Sequence, residues 1–250
     1  MILAVPARAK LNLDLRVIGR RADGFHDLYT TFQAIDLHDL VEIRPHAITQ
    51  FDSEGFEIDE KDNSVLQAHE AVEQASGRKL SVNIHLHKRI PPGSGMGGAS
   101  SDAAATLKAL STMFSLKLDL PTIAEHLGSD VPFFLVGGRA RAEGRGEKLF
   151  GLESTKQWFA VAWPGFGLST ADVYKRWDDV KGEGANELRR AAEHVDRNLE
   201  KFAKELGPGW QMTGSGSAFF KATATEQGAV DATSNLGCWT AVTASVPRWA

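Results

Sequence analysis

The sequence predicts an α+β fold in two domains, and the periodicity of its apolar residues indicates this. Segments in which apolar and polar residues alternate predict half-buried strands, and segments with apolar residues three or four positions apart predict helices. Both kinds occur in each half of the 250 residues, a length that accommodates two domains. A change of composition near residue 152 predicts an N-terminal domain over 1–152 and a C-terminal domain over 153–250.

Three strands are predicted in the N-terminal half. The stretch KLNLDLRV at 10–17 alternates strictly, with its leucines on one face and its polar residues on the other. The stretch LSVNIHLHK at 80–88 repeats the alternation, and LVEIR at 40–44 is a shorter candidate. Half-polar strands of this kind are typical of an antiparallel or mixed sheet.

Helices are predicted between and after those strands. SVLQAHEAVEQAS at 64–76 places its valines and alanines on one face and is followed by Gly77, which favours a helix end. A second helix is predicted from about 100 to 114 and a third over 120–127. The glycine- and charge-rich region 137–156 is compatible with a pair of strands.

The C-terminal half opens with the apolar strand WFAVAW at 158–163. Helical patterning follows over 171–177 and 186–206, and a terminal strand, WTAVTASV, is predicted over 239–246. This order of elements predicts a layer of helices on an antiparallel sheet.

Composition and charge argue against several functions. The net charge is −4, so the chain lacks the basic balance that favours binding to nucleic acid. Its apolar runs are far shorter than the roughly 20 residues that span a bilayer. Cys238 is the single cysteine, which excludes an internal disulfide and a multi-thiolate metal site. We therefore expect a cytoplasmic protein with a small-molecule substrate.

The segment PPGSGMGGASSDAAATL, which begins at Pro91, places a glycine-rich stretch directly before a predicted helix. Glycines allow successive N–H groups to turn toward one point, where the helix N-terminus adds a partial positive charge. An anion such as a phosphate group would bind there. The alternative is a loop whose serines only cap the helix.

Two known phosphate-binding patterns do not describe this segment. A P-loop ends in Gly-Lys-Ser/Thr, whereas Gly98-Ala99-Ser100 contains no lysine. Residues 93–98 match G-x-G-x-x-G, but a dinucleotide-binding loop follows directly on a buried parallel strand. Here Arg89-Ile90-Pro91-Pro92 separates the loop from a half-polar strand, so this match lacks its structural context.

The same segment resembles the second motif of the GHMP kinases, named for galactokinase, homoserine, mevalonate and phosphomevalonate kinases. The opening AKLNLDLRVIGRRADGFHDLYTTFQAIDLHDLVEI is similar to the start of the 4-diphosphocytidyl-2-C-methyl-D-erythritol kinases within that superfamily. LGSDVPFF, WPGFGLSTADVYK and MTGSGSAFF follow in that family's order. The resemblance covers most of residues 7–222.

The resemblance implies a two-domain GHMP kinase fold, with an N-terminal half like ribosomal protein S5 domain 2 and a ferredoxin-like C-terminal half. It implies transfer of the γ-phosphate of ATP, with Mg²⁺, to a hydroxyl of a cytidine-diphosphate methylerythritol, in non-mevalonate isoprenoid biosynthesis. Such transfer depends mainly on positioning and charge stabilisation. A monomer or a homodimer is expected.

Two residues match the family's catalytic pair. The resemblance implies that Lys10 stabilises developing charge and that Asp130 accepts the proton of the alcohol. From the residues alone, Lys10 is interpreted as a solvated strand lysine and Asp130 as the N-cap of a helix that begins at Val131. Alternation places Lys10 on the same strand face as Asn12.

The remaining site residues are also implied by the resemblance. The residues implied for ATP are Asn63, Pro91, Gly93, Ser94, Gly95, Met96, Gly97, Gly98, Ala99, Ser100, Ser101, Gly214 and Ser215. Those implied for the substrate are Asn12, Phe25, His26, Thr170 and Tyr174. The metal ligands are not predicted, although Ser100 and Ser101 are candidates together with the phosphates. The alternatives are a helix N-cap for Asn63, a loop histidine for His26 and a hairpin turn for Gly214–Gly216.

Three positions depart from the family pattern. Phe25 stands where tyrosine is usual, which keeps a ring and loses a hydroxyl. Ala99 replaces a glycine, and we expect strain of about 1–3 kcal/mol if that residue needs a positive φ. Asp102 replaces an asparagine, and we expect it to repel a bare phosphate and to favour a metal-bridged arrangement.

Two histidines outside these motifs, His85 and His87, share a strand face and could chelate a metal. No third ligand with a recognisable spacing follows them, so we expect a solvated strand face. Two further functions stay open. They are a GHMP kinase for another alcohol, and a nucleotide-binding sensor without catalysis.

Overall fold

The computed structural model describes residues 2–58 and 63–249, which fall into two compact units. The first unit comprises Met1–Ala9, His38–Pro92 and Gly97–Val136. The second comprises Lys10–Leu37, Gly93–Met96 and Gly137–Ala250. The domain boundary near residue 152 stays a prediction.

Runs of one to three strands are followed by runs of one to three helices along the described chain. The strands are β1 (Leu3–Arg20), β2 (His26–Pro45), β3 (Gln50–Gly55), β4 (Val82–Lys88), β5 (Arg139–Gly144), β6 (Lys148–Leu152), β7 (Trp158–Trp163), β8 (Gln211–Met212), β9 (Phe219–Thr223) and β10 (Trp239–Ala244). The helices are α1 (Ser64–Ser76), α2 (Gly98–Met113), α3 (Leu120–Leu127), α4 (Val131–Val136), α5 (Thr170–Val180), α6 (Arg189–Val195), α7 (Arg197–Leu206) and α8 (Glu226–Thr233). None of the described helices has the combination of length and apolar character that crossing a bilayer requires.

The first unit is a sheet of β3, β4 and the end of β2 with helices on one face. β3 is parallel to β4, and β4 is antiparallel to β2. One face of β4 consists of Val82, Ile84 and Leu86, each at most 1% exposed. The helices α1 and α2 pack together, and their buried faces include Val72 and Leu107. The opposite face of the sheet is polar.

The second unit contains two sets of antiparallel strands. The beginning of β2 pairs with β5, and β5 pairs with β6. A separate four-stranded sheet has the order β10-β7-β9-β8. Its core joins Phe219, Trp177 and Phe202 to residues of β1 such as Leu15. β1 and β2 pair with each other, and each contributes residues to both units.

Most predicted elements are confirmed. The bounds of α1, α3 and β7 are the predicted ones, and the region 137–156 contains the strand pair β5 and β6. The predicted helical stretch 186–206 is two helices, α6 and α7, because the chain is extended at Asp196 between them.

Among the elements that were missed or shortened in the predictions, three had a weak signal. The prediction at 40–44 covers only the end of β2, since residues 30–35 of that strand are buried on both faces and do not alternate. β3 has no apolar face, and its strand conformation follows from pairing with β4. α8 is short, and Ala229 is its one buried residue.

Candidate active site

The first part of the glycine-rich loop, Gly93–Met96, is held in the second unit through its carbonyl groups. The Gly93 carbonyl accepts hydrogen bonds from the N–H groups of Leu168 (3.1 Å) and Ser217 (3.2 Å). The Ser94 carbonyl accepts from Ala218 N–H (3.0 Å), and the Met96 carbonyl accepts from Lys10 N–H (2.9 Å). The carbonyl side of the loop is therefore bonded to protein.

The glycines of this loop are needed because other backbone lies against them. A Cβ on Gly95 would lie 2.3 Å from the Thr213 carbonyl oxygen, and one on Gly93 would lie 2.8 Å from the Gly167 Cα. Both residues also have positive φ, +78° and +63° respectively. Close approach of the protein's own backbone therefore explains the lack of side chains at these two positions.

The loop continues into the first unit as the start of α2. Gly97 is the N-cap residue in the left-handed conformation, and no side chain caps the helix. The Ser101 N–H donates to the Gly97 carbonyl (2.9 Å). Over residues 93–100, no amide N–H donates to a backbone carbonyl within the described part of the chain. Such a row of N–H groups ahead of a helix is an anion-binding arrangement.

A second turn, residues 213–217, lies against Gly95 in the second unit. The Asn186 side chain fixes this turn by donating to the carbonyls of Met212 (2.8 Å) and Gly214 (2.9 Å). The hydroxyls of Thr170 and Ser215 are 2.9 Å apart and hydrogen-bonded. A predicted substrate contact and a predicted ATP contact therefore touch each other.

Lys10 is buried, at 4% exposure, which excludes the solvated strand lysine. Its ammonium group donates to the Asn12 Oδ1 and lies 4.7 Å from the centre of the Phe32 ring. The Asn12 amide in turn donates to Thr30 Oγ1 (2.8 Å), and the Asn12 N–H donates to Thr213 Oγ1 (3.0 Å). Asn12 thus orients Lys10 and connects it to the turn at 213–217.

His26 is held in one orientation by α5. Its Nε2 is 2.8 Å from Asp178 Oδ1, and its ring is stacked on Tyr174 with centroids 5.1 Å apart and planes at 25°. Trp177 meets the same ring edge-on at 5.7 Å. Residues 174, 177 and 178 are three or four positions apart and so share one helix face. The hydrogen bond from His26 lowers the pKa of the Asp178 carboxyl.

Phe25 adjoins this group and is 52% exposed. The Arg145 guanidinium lies 4.9 Å from the centre of its ring. An exposed aromatic ring beside a fixed imidazole offers a face for a planar ligand.

The first unit contains a buried ionic cluster below the start of α2. The Lys88 ammonium donates to the carboxylates of Asp39 and Asp102, the latter at 2.8 Å. Asp39 also accepts from the N–H groups of Arg89 (2.5 Å) and Ile90 (2.7 Å). Lys88 lies close to Gly98, since a Cβ on that glycine would be 2.9 Å from the ammonium nitrogen.

Asn63 is the N-cap of α1. Its Oδ1 accepts from the N–H groups of Val65 (2.9 Å) and Leu66 (3.3 Å). Its Nδ2 is buried and has no hydrogen-bond partner among the described residues. The capping alternative is therefore confirmed, and one amide donor is left over for another acceptor.

The other predicted residues are placed as follows. Asp130 is half-buried in the turn directly before α4. Ser100 is half-buried, whereas Ser101 is 2% exposed. Pro91, Ser94 and Met96 are buried, and Thr170 is exposed at the start of α5.

A pocket of about 380 Å³ opens beside β1 in the second unit. It is lined by Asp14, Arg16, Ile18, Tyr29, Gly184 and Ala185. The lining includes none of the predicted site residues, although Asp14 is two positions from Asn12 on the same strand.

Comparison with known proteins identifies the family. The model for the GHMP kinases N terminal domain matches residues 63–138. A 4-diphosphocytidyl-2-C-methyl-D-erythritol kinase from Delftia acidovorans is 38% identical over 244 residues, which cover 86% of this chain and 85% of that protein. The chain belongs to this kinase family. A relative of the same name from Chromohalobacter salexigens is 44% identical over 177 residues, which cover 69% of this chain but 59% of that protein.

A solved structure supports the same assignment. The crystal structure of a 4-(cytidine 5'-diphospho)-2C-methyl-D-erythritol kinase is similar over 97% of this chain and 99% of that one, with a TM-score of 0.85 and 32% identity. The predicted α+β fold of the GHMP kinases is thus confirmed. The finer likeness of the two halves to ribosomal protein S5 and to ferredoxin stays a prediction.

The structure shows the surroundings of two residues that depart from the kinase family pattern. Ala99 lies within α2 and does not have a positive φ, so it carries no strain of that kind. The Asp102 carboxyl group is buried against Lys88. Burial and the neighbouring Asp39 raise the pKa of Asp102 to about 8.

Sequence reasoning missed the residues that position the predicted ones. Asp178 and Asn186 had no motif around them, and Thr30 was not singled out within the opening motif. Their contacts are distant in the chain. Lys88 could have been found, because alternation along β4 places it on the same inward face as Ile84 and Leu86. A lysine on an apolar face requires a buried partner.

The close approach at Gly95 can be tested with an alanine substitution. We expect Gly95→Ala to lower the free energy of unfolding. The left-handed backbone accounts for about 1–2 kcal/mol of this loss, and the clash of the new methyl group with the Thr213 carbonyl adds to it. Gly165→Ala is the matched control, since Gly165 has φ +90° but nothing within 4 Å. Urea unfolding of both variants measures the difference, and equal losses would show that the contact is unimportant.

The raised pKa of Asp102 predicts a pH effect. Its pKa of about 8 in the folded state exceeds the unfolded value of roughly 3.9, so its contribution to stability is full below the unfolded value and is lost as the pH rises toward 8. Asp102→Asn removes this titration. We expect the stability of the variant relative to wild type to increase by more than about 1 kcal/mol between about pH 5 and pH 8.

The matched control is Asp39→Asn, in the same cluster. It removes the carboxylate that accepts from Lys88 and two backbone N–H groups, so we expect a loss of about 3–5 kcal/mol. Urea unfolding at several pH values checks both variants. A stability difference for Asp102→Asn that does not change with pH would contradict the raised pKa.

Proposed function

We propose that this kinase transfers the γ-phosphoryl group of ATP to a hydroxyl of 4-diphosphocytidyl-2-C-methyl-D-erythritol. The names of its relatives support this substrate. The observation that carries the proposal is the loop at 93–100, whose carbonyls are bonded to protein while its N–H groups have no backbone acceptor. A phosphate chain is the ligand that complements such a row of donors.

The loop residues and Asn63 are proposed to hold ATP. The N–H groups of Gly95 to Ser100 would donate to phosphate oxygens, and the partial positive charge of the α2 N-terminus would add to them. The unpartnered Nδ2 of Asn63 would donate to a ring nitrogen of adenine. The buried Ser215 hydroxyl already bonds Thr170, and it keeps an acceptor position for a further contact.

Mg²⁺ is proposed as the companion of ATP, and the residues at the loop fit a phosphate-bound ion. Mg²⁺ keeps several waters and is held by a small number of protein ligands plus substrate phosphates. Asp102 is bonded to Lys88, so the loop offers Ser100 as an oxygen ligand. The ion would neutralise charge on the transferred phosphoryl group.

The group formed by Phe25, His26, Tyr174 and Asp178 is proposed to bind the cytosine. The Asp178 carboxylate engages Nε2 of His26, which leaves Nδ1 as the ring nitrogen for a hydrogen bond to a base. Phe25 offers an exposed ring for stacking. The ring of Tyr174 stacks on the His26 ring. We propose that Tyr174 fixes the imidazole and also bounds the cytosine site.

Asp130 and Lys10 are proposed as the catalytic residues. A carboxylate is a weak base for an alcohol, so Asp130 would orient the hydroxyl and accept its proton late, as the oxygen–phosphorus bond forms. The Lys10 ammonium, fixed by Asn12 and Phe32, would stabilise negative charge without reorganising.

The role of Asp130 is tested by Asp130→Asn. We expect kcat to fall by at least about 100-fold, because the proton acceptor is lost, while ATP affinity changes little. The control is Asp119→Asn, which alters another helix-start aspartate in the same unit, the N-cap of α3. A coupled assay of ADP release with the cytidyl substrate measures both variants. Full turnover by Asp130→Asn would refute the assignment.

The cytosine site is tested by Phe25→Ala. Base–aromatic stacking contributes about 1–3 kcal/mol, so we expect KM for the cytidyl substrate to rise about 5- to 150-fold with KM for ATP unchanged. Phe150→Ala, which removes a comparably exposed ring, should leave both constants unchanged. Turnover of mevalonate, homoserine or galactose in preference to the cytidyl substrate would instead indicate another GHMP kinase activity. If none of the alcohols tested leads to ADP release, the result would indicate a nucleotide-binding sensor without catalysis.

A further inference from the structure

The polar face of the sheet in the first unit carries a cluster of histidines and carboxylates. His85 and His87 lie on β4, and the register pairs them with Asp52 and Glu54 of the parallel strand β3. On the other side of β4, Glu42 of β2 pairs with His85. Residues directly opposite each other point to the same face of a sheet. Two imidazoles are therefore surrounded by three carboxylates.

The side chains of this cluster already contact one another. Glu54, His85 and His87 each place one nitrogen or oxygen within 4.8 Å of the other two. The two imidazole rings have centroids 4.4 Å apart, and Nδ1 of His87 lies 2.6 Å from the Glu54 carboxylate. Glu54 is exposed and the histidines are about a quarter exposed, so small side-chain rotations can bring these atoms around a shared ion.

One polar atom in the cluster lacks a partner. Nε2 of His87 is buried with no hydrogen-bond partner among the described residues. The nearest carboxylate oxygen, that of Glu42, is 3.6 Å away, beyond hydrogen-bond distance. A buried imidazole nitrogen without a partner is unfavourable. An ion bound to Nε2 of His87, or a movement of the Glu42 carboxylate into hydrogen-bond distance of it, would remove this cost.

The ligand set indicates which ion would bind. Imidazole nitrogens suit zinc and neighbouring transition metals, whereas magnesium prefers oxygen ligands in octahedral geometry. Two histidines and one carboxylate with an open position form a common zinc ligand set. The hydrogen bond between Nδ1 of His85 and Asp52 also fits, because a carboxylate typically orients a metal-bound imidazole.

We propose that Glu54, His85 and His87 form a binding site for a divalent transition-metal ion of the zinc class. Asp52 is a positioning residue that orients the His85 imidazole. The site is separate from the glycine-rich loop and does not depend on the proposed kinase activity. Because β3 lies at the edge of the sheet, the bound ion links this edge strand to β4 and stabilises the folded state.

The test is calorimetric titration of Zn²⁺ into the full chain, without a polyhistidine tag, nucleotide or Mg²⁺, after treatment with a chelator. We expect one Zn²⁺ per chain and a rise in the melting temperature that chelator reverses. His85→Gln/His87→Gln should abolish this binding, and Glu54→Gln should weaken it at least about 10-fold. Asp52→Asn should weaken it by about 10- to 100-fold. Mg²⁺ should not bind at this site.

His126→Gln is the matched control, because it removes an exposed histidine on α3 whose ring bonds the Thr122 carbonyl. It should bind Zn²⁺ as wild type does. Circular dichroism of each metal-free variant checks folding, and Glu54→Gln, which changes one exposed side chain, keeps the test valid if the double variant unfolds. No binding by wild type, or equal binding by wild type and the Glu54 and double-histidine variants, would overturn the proposal.

Discussion

The hydrogen bonds accepted by the carbonyls of Gly93, Ser94 and Met96 are the constraint on which the candidate site depends. Each peptide unit directs its C=O and N–H in opposite directions. Once the carbonyls are bonded to the backbone of Leu168, Ser217 and neighbouring residues, the N–H groups of the loop point the other way. The side of the loop that accepts a phosphate is thus determined by the side that is bonded to protein.

Buried polar side chains fix the residues beside that loop. Lys10 is oriented by Asn12, which is itself held by Thr30 and Thr213. A charge removed from water is costly unless it is hydrogen-bonded, and a single missing partner would leave the lysine uncompensated. The cluster of Lys88, Asp39 and Asp102 follows the same rule, and burial together with the neighbouring Asp39 carboxylate raises the pKa of Asp102.

The local elements were predictable from sequence, and the contacts between them were not. Periodicity gave α1, α3 and β7 because their apolar faces repeat regularly. The long strand β2 was not predictable in full, since burial on both faces erases alternation. In the site, the family pattern pointed to Lys10, His26 and the loop. Asp178 and Asn186, which hold His26 and the second turn, are separated from their partners by many residues and have no local signal.

Spacing along the sequence is an incomplete guide both to the proposed zinc-class site and to the glycine-rich loop. His85 and His87 are adjacent on one strand, but the third ligand, Glu54, comes from a parallel strand through register, which spacing along the chain cannot reveal. In the loop, the spacing of the glycines suggested a bound ligand, whereas the space beside Gly95 is occupied by the Thr213 carbonyl. A glycine therefore marks where another part of the protein approaches the loop closely. The loop N–H groups that have no backbone acceptor indicate which ligand can bind. The two observations together, rather than the glycines alone, support a phosphate at this loop.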